Sequence, residues 1–200
     1  PEHHSEAVES MLAHVPGIRV VCPSSPARAY GLLLAAIREP DPVVFLEPTR
    51  IYRFVKQEVA DDGTALPLDT CYVLREGEDV TIVTWGAMTV DVLQAAEQLA
   101  SQGISAEVID LATVSTIDSE TILESVARTG RLVIVHEAAR NCAVGAEIAA
   151  IVAEEGLYDL VAPIKRVTGY DTVVPLYRLE NEFIPSVARI VDAVKETLEK

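Results

Sequence analysis

The sequence has few of the features that mark disulfide-stapled or membrane-spanning proteins. It contains only three cysteines in 200 residues, and none of them forms a CxxC pair. Neither a disulfide framework nor a structural zinc site is therefore indicated, and a reducing cytoplasm is the expected location. No apolar run approaches the roughly 20 residues that cross a bilayer. There is also no basic segment followed by an apolar one, as in a secretory signal.

Basic residues are scarce. The chain has 16 Lys and Arg against 31 Asp and Glu, which gives a formal net charge of -15. Phosphate backbones and anionic lipids are bound by clustered Lys and Arg, and neither Lys56 nor Lys165-Arg166 makes such a cluster. The composition therefore disfavours nucleic acid and membrane as partners. An acidic surface suits solubility or a basic protein partner. Added salt would weaken the binding of such a partner.

The common catalytic signatures are also absent. There is no GxGxxG, phosphate-loop, HExxH or GxSxG motif, which excludes the usual dinucleotide-binding, P-loop, zinc-protease and esterase classes. The first residues, Pro1-Glu2-His3-His4, do not resemble a natural start and suggest a piece of a longer chain.

One stretch, Glu78 to Asp110, has the pattern of a complete βαβ unit. Two short apolar runs flank an amphipathic helical pattern that ends at Gly103, and a helical crossover predicts parallel strands. The pattern then repeats, with Asp118 as the N-cap of a helix that Gly130 closes and Leu132 to Val135 as a third strand. An uninterrupted apolar strand of this kind is expected to be buried on both faces.

The remaining elements are weaker but regular. Before the βαβ unit we expect a helix capped by Ser5 with Ala7, Val8, Met11 and Leu12 inward, a strand Ile18 to Val21, a mostly enclosed helix from Ser25-Pro26 to Ile37, and a strand Val43 to Leu46. After it we expect a helix from about Gly145 to Glu155, a strand Ile164 to Val167, and a helix Ser186 to Leu198. Lys56 to Glu78 is polar and irregular, as in a connection between domains.

Few residues point to chemistry by spacing alone. His3 and His4, with Glu2 and Glu6, suggest a metal site only weakly, because adjacent residues seldom point at one ion. A helix N-terminus could instead hold one of these imidazoles neutral as a donor, and an ordinary surface histidine is a further interpretation. His136-Glu137 comes directly after a buried strand, where open α/β sheets bind ligands, although chance placement explains it equally well.

Several blocks in order resemble one family, the β subunits of the thiamine-diphosphate-dependent E1 components of 2-oxo acid dehydrogenase complexes. Pyruvate-specific members are the nearest and branched-chain members the next. The blocks in the first part are His4-Ser5, Ala13-His14-Val15-Pro16-Gly17, Gly31-Leu32-Leu33-Leu34-Ala35-Ala36-Ile37, Phe45-Leu46-Glu47-Pro48 and Ile51-Tyr52-Arg53. Those in the second part are Arg75-Glu76-Gly77, Ser105-Ala106-Glu107-Val108-Ile109-Asp110-Leu111, His136-Glu137-Ala138, Gly145-Ala146-Glu147-Ile148 and Gly169-Tyr170-Asp171-Thr172.

This resemblance implies an α/β fold in which part of a pyrimidine-binding domain precedes a transketolase C-terminal-type domain with a mostly parallel sheet covered by helices. The implied boundaries are residues 1–60 for the pyrimidine domain, 61–78 for a linker and 79–200 for the C-terminal domain. His4 matches the family histidine that reaches the reactive carbon of the cofactor, which implies a catalytic acid/base role. The residues that bind the pyrimidine are expected upstream of Pro1.

The same resemblance has implications for ions and loops. Family members often hold potassium through main-chain carbonyls, here those of Ala36, Glu39 and Asp41, and Pro40 could alter that turn. Magnesium is expected with the diphosphate on the α subunit. The loop Ala139 to Val144 departs from the family pattern of a proline and a glycine-rich run, so its shape and any contact made through it do not follow from the resemblance.

The implied reaction is oxidative decarboxylation of a 2-oxo acid, with transfer of the acyl group to a lipoyl arm of E2. The implied partners are the E1 α subunit, a second β subunit in an α2β2 tetramer, and the E2 acyltransferase. A β chain alone would be inactive. Three alternatives stay open: a branched-chain enzyme, a non-catalytic assembly and E2-binding module, and a related thiamine enzyme such as transketolase or 1-deoxyxylulose-5-phosphate synthase.

Overall fold

A computed structural model describes residues 5–199. The strands, numbered along the chain, are β1 Arg19–Val21, β2 Val43–Phe45, β3 Tyr72–Arg75, β4 Val80–Thr84, β5 Ala106–Asp110, β6 Thr113–Ser115, β7 Leu132–Val135 and β8 Lys165–Val167. The α-helices are α1 Glu9–Ala13, α2 Pro26–Arg38, α3 Met88–Ala100, α4 Ser119–Thr129, α5 Val144–Glu155, α6 Glu180–Phe183 and α7 Val187–Leu198. Short 3-10 turns lie at Thr49–Ile51 and Leu157–Asp159.

The main sheet has five strands in the order β3-β5-β4-β7-β8. Strand β4 is parallel to both β5 and β7, and β7 is parallel to β8. This pairing confirms the βαβ unit predicted from Glu78 to Asp110. Every position of β4, β5 and β7 is buried, as expected for central parallel strands with both faces covered.

Alternate side chains of these strands enter two separate cores. On one face, Val83, Ile109 and Ile134 pack with α4 and α5. On the other face, Ile82 and Val133 pack with α3 and α7. The period of two along each strand therefore divides one apolar run between two helix layers.

Local sequence signals set the helix ends. The Ser25 hydroxyl accepts a hydrogen bond from the Arg28 backbone N–H at the start of α2, and the Asp118 carboxylate accepts one from Thr121 N–H at the start of α4. Gly130 ends α4 at φ 70°, a conformation that costs little only for glycine. The predictions for Ser25, Asp118 and Gly130 are confirmed.

The N-terminal part is joined to the C-terminal part by a shared sheet. Strand β1 is parallel to β2 and antiparallel to β6, which lies just after β5 in the chain. In addition, Val20 and Cys22 belong to the same core as α4 and α5. The first part therefore packs directly on the second. The sequence did not predict β6, because three residues give no periodic pattern.

Three expectations for individual segments are wrong. Residues 72–75, inside the predicted linker 61–78, form β3, which pairs antiparallel with β5. The helix predicted from Ser5 begins only at Glu9, and its Met11 is 75% exposed instead of inward. Helix α2 is not mostly enclosed, because Ile37 is 71% exposed. The domain boundaries themselves stay predictions.

Candidate active site at the carboxyl edge of the sheet

The predicted catalytic residue His4 and its neighbour His3 lie outside the described residues. The description begins at Ser5, and the nearest helix downstream is α1. The structure therefore locates the segment immediately downstream of His4 and the elements against which that segment packs.

Helix α1 is anchored on the main sheet by a buried polar contact. Glu9 is only 6% exposed, and its Oε1 accepts a hydrogen bond of 3.3 Å from the Trp85 indole Nε1–H. Trp85 comes directly after β4, at the carboxyl end of that strand. The segment downstream of His4 is thus fixed to the edge where parallel α/β sheets place their ligands.

Trp85 also connects this contact to His136, the residue after β7. The two rings stack with centroids 5.2 Å apart and an interplanar angle of 19°. His136 is fully buried, and neither ring nitrogen has a hydrogen-bond partner among the described residues. An added Cβ at Gly145 would lie 2.6 Å from His136 Nε2, so glycine at that position leaves the room that the imidazole needs.

Burial controls the protonation of this cluster. Desolvation, and to a lesser extent the charges of Arg166 and Arg140, lowers the pKa of His136 to about 4, so the imidazole is neutral at pH 7. Burial also raises the pKa of Glu9. Glu137 behaves likewise, since burial and then the charge of Glu9 raise the pKa of its carboxyl. Burial thus disfavours the charged form of each of these groups, because an isolated buried charge is costly.

A second buried contact lies one strand away. Asp110 ends β5, is fully buried, and accepts hydrogen bonds from the Ser24 hydroxyl at 2.5 Å and from Ala112 N–H at 3.1 Å. Burial raises the pKa of Asp110 to about 6 despite both hydrogen bonds. Cys22 lies next to Gly86, since an added Cβ at Gly86 would lie 2.7 Å from the Cys22 sulfur. Burial raises the pKa of the Cys22 thiol well above its usual value, which leaves the thiol protonated.

Asp110→Asn is expected to change how stability depends on pH. The folded-state pKa of Asp110 is raised from 3.8 to about 6, so the stability linked to its protonation is complete below pH 3.8 and is lost as pH rises through about 6. Asn stays neutral, and its side-chain amide still offers one hydrogen-bonding atom to Ser24 and one to Ala112. From pH 4 to pH 7.5, the difference in free energy of unfolding between variant and parent should therefore shift in favour of the variant by on the order of 2–3 kcal/mol.

Urea unfolding of both proteins at the two pH values measures this difference. His136 acts in the opposite direction, because its lowered pKa gives stability that is present above pH 6.5 and lost as pH falls through about 4. Both proteins carry His136, so the comparison between them isolates Asp110. An identical gap between variant and parent at both pH values would refute the assignment.

The predicted potassium site lies at the end of α2. Ala36 is in the last turn of that helix and Glu39 is its C-cap. The carboxylates of Glu39 and Asp41 lie 3.3 Å and 3.4 Å from Arg19 Nη1, so both side chains face a cation of the chain itself. Within residues 5–199 there is no cluster of three or more His, Cys, Asp or Glu that could hold a metal. A site made of main-chain carbonyls is not tested by these contacts and stays a prediction.

The atypical loop from Ala139 to Val144 has a defined path into α5. Cys142 takes φ 54°, and α5 begins at Val144. Cys142 lines a groove of about 650 Å³ between α1 and α5, together with His14 and Glu147. Cys142 is exposed, whereas the other two cysteines, Cys22 and Cys71, are buried, and all three are free.

Sequence reasoning found His136 and Glu137 but missed most of their surroundings. Asp110 could have been found, since it is the polar residue that ends a buried strand, much as His136 comes directly after one. Glu9 and Ser24 gave no such signal, because their burial depends on the packing of the N-terminal part against the sheet. No helix in the described part of the chain is both long and apolar enough to cross a membrane.

The fold and its buried polar edge define an open α/β domain with an N-terminal α/β piece packed against it. Comparison with known families agrees. Residues 69–190 match the family described as "Transketolase, C-terminal domain", and residues 1–55 match "Transketolase, pyrimidine binding domain". The chain belongs to the transketolase C-terminal domain family, here preceded by part of a pyrimidine-binding domain.

Two individual relatives are similar to this chain over nearly its whole length. The chain is 45% identical over 195 residues to the pyruvate dehydrogenase E1 component subunit beta of Acholeplasma laidlawii, with 98% of this chain and 60% of the relative covered. It is 44% identical over 199 residues to the protein of that name from Staphylococcus aureus, with 100% of this chain and 61% of the relative covered. The chain thus spans about 60% of the length of these relatives.

A solved structure has a similar fold. It is described as "Split gene transketolase, inactive beta4 tetramer" and superposes with a TM-score of 0.79. It is 29% identical, and the match covers 95% of this chain and 60% of that one. The structural similarity therefore extends over both parts of the chain.

Proposed function

We propose that this chain is part of the β subunit of a thiamine-diphosphate-dependent pyruvate dehydrogenase E1 component. The observation that carries the proposal is the 44–45% identity to proteins of that name over 98–100% of the chain. The complete enzyme would decarboxylate pyruvate oxidatively and pass the acetyl group to the lipoyl arm of E2. A branched-chain 2-oxo acid enzyme is the alternative substrate assignment.

In this proposal His4 is the general acid/base of the reaction. The described structure supports its placement indirectly. Helix α1 begins five residues after His4, and Glu9 in its first turn is held by Trp85 at the carboxyl edge of the sheet. Because the neighbouring His136 is neutral at pH 7, it adds no competing positive charge to this edge. The contribution of the described residues is to fix the segment directly downstream of His4.

The residues described do not by themselves fit a thiamine diphosphate site. They include no carboxylate cluster suited to a divalent ion, and the pyrimidine contacts are expected upstream of Pro1. We therefore assign the diphosphate and its magnesium to the α subunit. Potassium at the carbonyls of Ala36, Glu39 and Asp41 is part of the proposal.

The proposed partners are the E1 α subunit, a second β subunit and E2, and the proposed location is the cytoplasm. The tetrameric state of the structural neighbour supports oligomer formation. Exposed apolar side chains on the C-terminal part, such as Tyr158 and Val173, are also in keeping with subunit contacts. The net charge of -15 suits a basic binding module on E2.

A second candidate concerns the chain by itself. The structural neighbour is described as an inactive β4 tetramer, which favours a folded assembly module without activity of its own. Mixing the 200-residue chain with purified α subunit and thiamine diphosphate separates the candidates. Association without turnover supports the module, whereas turnover shows that the chain is sufficient for a catalytic β subunit.

A substrate panel tests the pyruvate assignment. The full-length protein, assembled with its α subunit and thiamine diphosphate, is expected to reduce an artificial electron acceptor with a kcat/KM at least about tenfold higher for pyruvate than for the branched-chain acid 3-methyl-2-oxobutanoate. One missing or extra methylene in a substrate pocket changes rates by about this factor. A preference for the branched-chain acid would replace pyruvate by the alternative.

A further inference from the structure

Two arginines far apart in sequence are held together beside the edge strand β8. Arg140 Nη1 donates a hydrogen bond of 3.1 Å to the Arg166 carbonyl, and Arg166 Nη1 donates one of 3.1 Å to the Arg140 carbonyl. Each side chain thus fixes itself to the backbone of the other. Reciprocal bonds of this kind orient both guanidinium groups before any ligand arrives.

The two positive charges are poorly compensated. Within residues 5–199, neither guanidinium has a carboxylate within ion-pair distance. The charge of Asp171 acts on Arg166, but Asp171 Oδ1 accepts a hydrogen bond from Asn141 N–H. Burial and then the charge of Arg140 lower the pKa of Arg166, and the opposing effect of Asp171 is smaller. Two like charges therefore stay close on a chain whose net charge is -15.

Lys165 and His136 do not relieve this repulsion. Lys165, the residue before Arg166, forms an ion pair with Glu196 on α7. The Glu196 carboxylate is therefore paired with Lys165, a cation outside the arginine pair. His136 also feels the charges of both arginines and stays neutral, with both ring nitrogens unpartnered among the described residues. Each guanidinium group uses one of its five N–H donors in the pair, and the residues from 5 to 199 leave most of the other donors available.

We propose that Arg140 and Arg166 form a binding site for a phosphoryl group, either free phosphate or a phosphate monoester, at the β8 edge of the main sheet. A phosphate monoester carries about -1.5 to -2 charges at pH 7 and three acceptor oxygens, which two guanidinium groups can contact from different sides. A single carboxylate is matched by one guanidinium alone, through two parallel hydrogen bonds. The pair therefore suits phosphate better than a carboxylate.

Calorimetric titration of inorganic phosphate into the assembled E1 enzyme, with thiamine diphosphate saturating its own site, tests the proposal. The parent enzyme is expected to bind one phosphate per β chain in the millimolar range. Arg140→Gln with Arg166→Gln should weaken binding about tenfold or more, since hydrogen bonds to charged groups are worth that factor. Arg140→Lys with Arg166→Lys should fall between the two, because charge is kept and the planar fork is lost.

Arg178→Gln is the matched control. Arg178 is exposed and makes none of the contacts of the pair, so its removal should leave phosphate binding within about twofold of the parent. The melting temperature of every variant checks that the fold is kept. Titration of glycerol phosphate in parallel identifies the source, since tighter binding than inorganic phosphate indicates a monoester and weaker binding indicates free phosphate.

Three results would overturn the site. The first is phosphate binding by the double glutamine variant that equals binding by the parent. The second is no phosphate binding by the parent at low ionic strength. The third is equally tight binding of succinate, which would show general attraction of anions in place of recognition of a phosphoryl group.

Discussion

Replacing His4 by alanine in the full-length protein, reassembled with its α subunit, is expected to lower turnover about 100-fold or more. General acid/base groups contribute about this much, and water replaces them poorly at a fixed position in a closed site. Assembly should be unaffected, because the segment is anchored downstream by Glu9 and Trp85. Steady-state decarboxylation rates and the sedimentation of the tetramer measure the two effects separately.

His3→Ala is the matched control for this experiment. The two histidines are adjacent, so the control removes the same side chain from the same segment, and its turnover should stay within about threefold of the parent. The pH dependence of kcat adds an independent test, because His4→Ala should remove one of the ionisations on which turnover depends. If His4→Ala keeps full turnover, His4 has no part in the mechanism.

Gly77→Ala should have the largest effect on stability. Gly77 lies between β3 and β4 and passes directly over β5. A Cβ there would lie 2.1 Å from the Glu107 nitrogen and 2.2 Å from the Ala106 carbonyl carbon. Both atoms are backbone atoms of a fully buried central strand, so no rotamer change can make room. We expect a loss of about 3 kcal/mol or more in the free energy of unfolding.

Gly103→Ala separates this steric effect from the general cost of replacing glycine. Gly103 has φ 79° with nothing within 4 Å of an added Cβ, so alanine should cost only about 1 kcal/mol of backbone strain. Urea unfolding of both variants gives the comparison. If Gly77→Ala is no less stable than Gly103→Ala, the close approach at β5 is not as described.

The sequence predicted the elements whose signal is local. The βαβ unit from Glu78 to Asp110, the caps at Ser25 and Asp118, and the helix end at Gly130 each depend on a pattern within one segment, and each is confirmed. Strands β3 and β6 were not predicted. Each has only three or four residues and becomes a strand only through pairing, β3 with β5 and β6 with β1. Such pairing partners are set by the fold and are invisible in a local window.

The candidate site shows the same division. The family resemblance predicted His4, which lies outside the described residues and stays a prediction. The position directly after a buried strand pointed to His136-Glu137. The contact between Glu9 and Trp85 spans 76 residues, and the bond between Ser24 and Asp110 spans 86. No basic cluster is visible in the sequence, because Arg140 and Arg166 stand 26 residues apart and meet only when the loop after β7 folds against β8. Exposure of Met11 and Ile37 could not be predicted either, since apolar periodicity marks a face without identifying what covers it.

We propose that this chain is part of a β subunit whose chemistry needs a partner subunit. The most direct measurement is pyruvate decarboxylation by the full-length protein with and without purified E1 α subunit, each in the presence and absence of thiamine diphosphate. Turnover is expected only when both subunits and the cofactor are present. Equal turnover by the protein without an α subunit, or failure of the two subunits to associate and to decarboxylate any 2-oxo acid, would contradict the claim.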